Sequence, residues 1–213
     1  HNMGITLDLA CGTGSLTLWL KKKGVDIYGI DASAEMLSVA QEKALDNDIS
    51  GMLFLRQKMQ NIDLYGTIDT CICTLDSINH ITNKDDVQKT FSRVSFFMNP
   101  EALFIFDVNT LYKHQKVLGN NTFVYDTSKV YCVWQNSLCR DNRTVDISLD
   151  FFQRDGDIYR RYSENFMERA YTHTEICEML EKAGFRLLDV FGEMSFDKPS
   201  ETSQRNFYIA KKL

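Results

Sequence analysis

Leu7-Asp8-Leu9-Ala10-Cys11-Gly12-Thr13-Gly14 is the stretch whose reading decides the fold. An apolar run over residues 5–10 ends on two glycines, and helical apolar spacing then begins through Leu16, Leu18, Trp19 and Leu20. A strand that feeds a glycine turn into a helix brings backbone close to a ligand, because no Cβ intervenes. The N-terminus of that helix offers free N–H donors to the same ligand. Asp31, at the end of the second apolar run (residues 25–30), stands where a carboxylate can accept from a ribose diol.

Glycine pair, strand–loop–helix context and the acid of the second strand together indicate a nucleoside-containing cofactor. The dinucleotide fingerprint needs a third glycine for close helix packing, and Thr17 stands at that position. Asp8, just before the loop, is also a poor neighbour for a pyrophosphate. A sulfonium and an ammonium suit such an acid-rich pocket, which favours S-adenosylmethionine over NAD.

Working outward, the chain alternates strand and helix. Helix is expected over 15–23 with Gly24 as its stop, and from the N-cap Ser33 to about residue 45. Residues 52–55 and the continuous apolar stretch 68–75 read as buried strands. A helix over 85–98 stops at Asn99-Pro100, and 102–108 is a further strand. Such alternation implies right-handed crossovers and a parallel sheet. From about 123 to 171 the chain is rich in Tyr, Phe, Val and Thr, with turns at Asp141-Asn142 and Asp155-Gly156, which predicts three or four antiparallel strands. A helix over 174–183 and two strands, 185–191 and 206–211, close the chain. The expectation is one α/β domain over 1–213, a Rossmann-like, mostly parallel sheet, with 110–171 as an inserted antiparallel β subdomain.

The 213 residues carry a formal net charge of −5, and Lys21 to Lys23 is the one tight basic run, closing an amphipathic helix. A chain that grips phosphate backbones usually presents a basic face, so nucleic acid is a minor candidate partner. No apolar run approaches the roughly 18–20 residues needed to span a bilayer, and residues 1–3 do not look like a signal peptide. The six cysteines show no zinc spacing and no C-x-x-C pair. A cytoplasmic protein with reduced thiols, no metal and no disulfide is expected, as a monomer or homodimer.

Asp8-Leu9-Ala10-Cys11-Gly12-Thr13-Gly14 with Ile30-Asp31 resembles motif I and the acidic second-strand end of class I S-adenosylmethionine-dependent methyltransferases. Leu75-Asp76-Ser77-Ile78-Asn79-His80, residues 104–110 and Glu168-Arg169-Ala170-Tyr171 resemble a bacterial subgroup with a β insertion after the fifth strand. The similarity runs over essentially the whole chain. It implies an antiparallel last strand and a methyl transfer, and it names no substrate. It places the methionine end of the cofactor against Ala10, Gly12 and Gly14, with Asp8 beneath. Asp31 would take the ribose hydroxyls, Ala32, Met36 and Met59 the adenine, and Leu75 and Asp76 the neighbourhood of the methyl group.

Two departures from the family stand out. Family members commonly place an Asp before Met59 to accept from the adenine amino group; here it is Lys58, which has donors only. Gln60, Asn61 or a backbone carbonyl would have to serve, or adenine be held by apolar contact. Family members also carry additional N-terminal helices that help cover the cofactor, whereas here the first strand starts near His1, so part of that cover is expected to be missing.

Methyl transfer from a sulfonium needs alignment more than acid–base force. Asp76, His80, Asp107 and Tyr112 fall at or after strand ends, and Asp76 and His80 are the candidate catalytic residues. Asn79, Asn109, Tyr112, Arg169 and Tyr171 are candidate contacts for a small-molecule acceptor. The N-P-P-Y pattern of flat-base N-methylation is absent, Leu75-Asp76-Ser77-Ile78 standing in its place. The alternatives are an acceptor on RNA or protein, or a non-catalytic nucleoside-binding domain of the same fold.

Overall fold

The computed structural model describes residues 3–193 and 195–213. Its main sheet runs β10-β11-β5-β4-β1-β2-β3. β1 (Thr6–Leu9), β2 (Ile27–Asp31), β3 (Phe54–Arg56), β4 (Ile68–Cys73) and β5 (Met98–Asn109) are mutually parallel. β11 (Arg205–Lys212) lies antiparallel between β5 and β10 (Phe185–Gly192), so the last strand is antiparallel as expected.

The helices start where the sequence supplies caps. The Ser33 hydroxyl accepts from the Met36 N–H at 3.1 Å and opens α2 (Ala34–Asp46). Asn83 accepts from Asp85 N–H and opens α3 (Lys84–Phe97), and Thr172 with Glu175 forms a reciprocal capping box on α4 (His173–Lys182). α1 (Ser15–Lys22) follows the glycine turn directly. The core lies between sheet and helices: Phe91 of α3, Phe104 and Phe106 of β5 and Tyr208 of β11 are fully buried, their rings 4.6–5.5 Å apart. Each such side chain contributes about 1.5–3 kcal/mol by leaving water. Cys71 and Cys73 share one buried face of β4.

Four local readings change. The 68–75 strand stops at Cys73, because Leu75 and Asp76 take left-handed backbone conformations (φ 60° and 56°) that cannot continue a strand. α3 ends at Phe97, and the expected break at Asn99-Pro100 is absorbed into β5. That strand bulges there: Ile68 pairs with Met98 but Thr70 with Leu103. The second and third strands sit one to two residues later than their apolar runs suggest. The 110–121 segment, unassigned by periodicity, contains a π-helical turn, Lys113–Leu118, whose His114 and Leu118 are buried.

β6 (Thr122–Asp126), β7 (Val130–Leu138), β8 (Thr144–Asp155) and β9 (Ile158–Arg169) form a separate four-stranded antiparallel sheet. Val145 and Ile147 on its inner part pack against Leu118 of the π-helical turn.

Candidate active site

The strand order reverses between β1 and β4, where open α/β sheets bind ligands beyond the carboxyl ends. A cleft of about 760 Å³ opens there. Asp8, Ala10, Gly12, Asp31, Ala32, Met36, Met59, Leu75 and His80 line it, so nine of the expected site residues are brought together.

The loop is built by its backbone. Ala10 and Gly12 turn through the left-handed region (φ 60° and 53°), and Cys11 N–H donates to Ile30 O at 2.9 Å. Asp31 then clamps the turn: one carboxylate oxygen accepts from Gly12 N–H at 2.8 Å, the other from Ser33 N–H at 2.9 Å. Each oxygen keeps lone-pair capacity for a hydroxyl donor. Gly12 faces open space, a built Cβ meeting only Met36 Sδ at 3.7 Å. Gly14 does not line the cleft. It is needed because a Cβ there would meet Ala40 at 2.9 Å and Phe54 at 3.2 Å, so its smallness seats α1 against α2 and β3.

Asp8 is buried and accepts from the Thr17 hydroxyl at 2.5 Å. Thr17, standing where a dinucleotide site has its third glycine, is therefore the partner of the acid beneath the loop. Burial, opposed by that hydroxyl and reinforced by the charge of Asp31, pushes the Asp8 carboxyl up to about 6. Burial likewise pushes the Cys11 thiol up to about 12. Two carboxylates, Asp8 and Asp31, make this end of the cleft fit a cation, with Lys43 held at its edge by the Thr13 hydroxyl at 2.7 Å. Met36 and Leu75, 48% and 72% exposed, give the cleft apolar surface for a flat base and an alkyl chain. Lys58 and Gln60 line it too, whereas Asn61 lies outside and accepts from Lys89 at 2.8 Å. Of the two side chains expected to replace the missing Asp, Gln60 is the one that lines the cleft. A nucleoside joined to a cationic amino-acid tail fits these residues.

The expected residues that lie off the cleft form the wall behind it. Asp76 turns away and meets Arg205 Nη2 at 2.9 Å and Asn109 Nδ2 at 2.5 Å, instead of capping the following turn. Arg205 also reaches Asp107 at 3.1 Å. Burial raises the Asp107 carboxyl above its ordinary value despite that guanidinium. Asn109 donates on to Glu168 at 3.1 Å and accepts from Lys113 at 2.9 Å. Asn79 is a backbone clamp, donating to Arg169 O and accepting from Asn109 N–H. Tyr171 donates its hydroxyl to Ile81 O and carries the Arg169 guanidinium over its ring at 5.8 Å. Tyr112 precedes the π-helical turn and lines a separate small cavity with Tyr171.

Glu168 and His114 were not among the sequence-predicted site residues. Glu168 is buried between two imidazoles, 3.7 Å from His80 Nε2 and 3.7 Å from His114 Nε2. Burial alone would raise its carboxyl, but His114, His80 and Asn109 outweigh it and hold it below the ordinary range. Alternation along β9 was the available signal: Glu168 and Arg169 point to opposite faces, so one had to point inward. His80 is the link between wall and cleft, since its half-exposed ring lines the cleft and packs on Phe166 at 5.1 Å.

Residues 6–101 match the sequence profile of the family described as "Methyltransferase domain". Over 98% of its length the chain is 36% identical to the putative methyltransferase YqeM of Bacillus subtilis, covering 84% of that protein. It is 31% identical to the putative methyltransferase GWCH70_2453 of Geobacillus sp., over 97% of this chain and 83% of that one. The crystal structure of an S-adenosylmethionine-dependent methyltransferase from Clostridium acetobutylicum superposes with a TM-score of 0.91 at 37% identity, covering 97% of this chain and 83% of that one. Sheet order, cleft chemistry and these likenesses agree: the chain belongs to the class I S-adenosylmethionine-dependent methyltransferases, and S-adenosylmethionine is its cofactor.

Proposed function

We propose that the enzyme methylates a small molecule at the rim of the cleft, between Leu75 and His80. The observation that carries this reading is the strained turn at the end of β4. Two consecutive non-glycine residues, Leu75 and Asp76, are held left-handed there, at about 1–3 kcal/mol each. The Asp76–Arg205 and Asp76–Asn109 contacts keep the turn in place and leave Leu75 72% exposed at the cleft. The bound cofactor supplies a methyl group on a positively charged sulfur, open to an incoming lone pair. Asp31 binds the ribose hydroxyls, Met36 and Met59 sandwich the adenine with Ala32 at its edge, and Asp8 with the Ala10–Gly12 backbone receives the amino-acid tail. Gly14 acts from behind by seating the helix. Leu75 excludes water beside the methyl group, and Asp76 positions Leu75.

His80 takes the proton of an acceptor that must lose one, with Glu168 stabilising the imidazolium so formed across 3.7 Å. Asn109 and Asn79 tie this wall together, while Arg169, Tyr171 and Tyr112 shape its outer side. A formal net charge of −5 and two carboxylates in the cleft support a small acceptor over a polyanion. Among the described residues no helix is long and apolar enough to cross a membrane. A cytoplasmic setting belongs to this reading, and the six cysteines, all free thiols, suit a reducing compartment.

Release of S-adenosylhomocysteine tests the proposal. The protein is supplied with cofactor and, separately, with the low-mass fraction, the RNA and the protein of a bacterial extract. Turnover is expected with the low-mass fraction, and His80→Gln should lower kcat at neutral pH while leaving cofactor affinity within twofold. Turnover confined to RNA or protein would overturn the small-molecule reading.

A further inference from the structure

The four-stranded sheet has two unlike faces. One has its charges self-paired: Arg161 meets Asp150 at 2.8 Å and lies over the Phe152 ring at 5.8 Å, Ser148 meets Asn165 at 2.7 Å, and Tyr131 packs beside Phe152. The other carries Phe123, Trp134, Leu149 and Glu164 in one cross-strand row. Two residues inward along β9 from Glu164 lies Phe166, and two residues outward lies Tyr162, both on the same face. The inner end of this face is continuous with the active site, because Phe166 packs on His80, which lines the cleft. The outer end is open, with Tyr162 52% exposed.

The charges on this aromatic face are few. Asp155 and Arg160 neutralise each other at 2.7 Å, and Glu168 is engaged by Asn109 beside the two imidazoles. The exposed Glu164 side chain alone has no hydrogen-bond or ion-pair partner among the described residues; Leu149 lies across from it, and Phe166 and Tyr162 flank it along β9 on the same face. A carboxylate sharing a sheet face with aromatic side chains can attract a cation through its own charge and through the negative faces of the rings.

We propose that this face is the acceptor subsite and that the acceptor carries an ammonium group on an apolar or aromatic body. The ammonium sits against Glu164 and the rings of Phe166 and Tyr162, the body lies along the Trp134 side, and the end that receives the methyl reaches His80. This rests on the small-molecule reading above and adds the class of molecule.

The test uses Trp134 as its own reporter. The chain has two tryptophans, so a Trp19→Phe background leaves Trp134 as the single indole. That full-length protein, saturated with S-adenosylhomocysteine, is titrated with phenethylammonium, with neutral 2-phenylethanol and with anionic phenylacetate. Phenethylammonium should change Trp134 emission saturably and bind about tenfold tighter than the alcohol, with phenylacetate weakest. Glu164→Gln should remove that preference and leave S-adenosylhomocysteine affinity unchanged by calorimetry. No saturable change, equal binding of the three probes, or a preference that survives Glu164→Gln would overturn the proposal. So would a homodimer that Tyr162→Arg dissociates, since the face would then be covered by a second copy. Intact S-adenosylhomocysteine binding without amine preference defeats this inference alone, whereas turnover confined to macromolecules defeats the reading beneath it.

Discussion

At the scale of single residues, two carboxylates with different surroundings divide the labour of the cleft. Asp31 is satisfied by two backbone N–H groups, while Asp8 is buried beneath the loop with one hydroxyl. The Asp8 carboxyl keeps its proton up to about pH 6 in the folded chain, against an ordinary value of 3.8. Between those values the folded state binds more protons than the unfolded one, so stability falls as pH rises through this window. Asp8→Asn should therefore stabilise the ligand-free protein at pH 7 by about 1–3 kcal/mol, read from urea unfolding, with little gain at pH 4. A cationic ligand draws the same carboxyl into its charged form, so binding releases a proton. S-adenosylmethionine affinity should fall by about tenfold between pH 7 and pH 5, and Asp8→Asn should flatten that slope. An affinity independent of pH in the unsubstituted protein would show that Asp8 does not face the cationic tail. Asp8, the glycines and Asp31 were all legible in the sequence, because strand, turn and acid follow one another locally. The role of Thr17 as partner of Asp8 was not, since a missing glycine says nothing about what its replacement bonds to.

At the scale of elements, the deciding feature is the end of β4, which is held by a residue from the far end of the chain. Arg205 on β11 bridges Asp76 and the fully buried Asp107. Arg205→Gln leaves both carboxylates without their cation and should cost about 3–5 kcal/mol, measured by chemical denaturation. Arg161→Gln, removing the exposed partner of Asp150 on the outer sheet, should change stability little. Equal losses for the two variants would mean that the β4 turn is not anchored as described. Sequence patterning identified the strands and helices because apolar periodicity and the Ser33 cap are short-range signals, whereas the Thr172 capping box, which opens α4 one residue before the expected start, was not read. It extended β4 through Leu75 because two left-handed residues of ordinary side chain carry no local mark. It left Lys113–Leu118 unassigned because six residues are too few for a period to show. The Asp76–Asn109–Glu168–His114 wall joins β4, β5, β9 and the π-helical turn, and no spacing in one segment foretells such an assembly.

At the scale of the whole molecule, a parallel sheet offers one cleft at its switch point, and an antiparallel sheet extends from the rim of that cleft. The first builds the cleft from the early part of the chain. The second brings Phe166 to His80 and Glu168 to the wall, so the His80 side of the cleft is completed by the later part. The central claim is that the Asp8–Gly12–Asp31 cleft is the S-adenosylmethionine site. Calorimetric titration of the purified chain with S-adenosylmethionine, S-adenosylhomocysteine and NAD, repeated on Asp31→Ala, tests it most directly. Both sulfur nucleosides should saturate one site per chain at micromolar concentration and NAD should give no binding heat. Asp31→Ala should weaken both by at least about tenfold, the loss of hydrogen bonds to a charged group. Equal affinity in the variant, or preferential binding of NAD, would contradict the assignment.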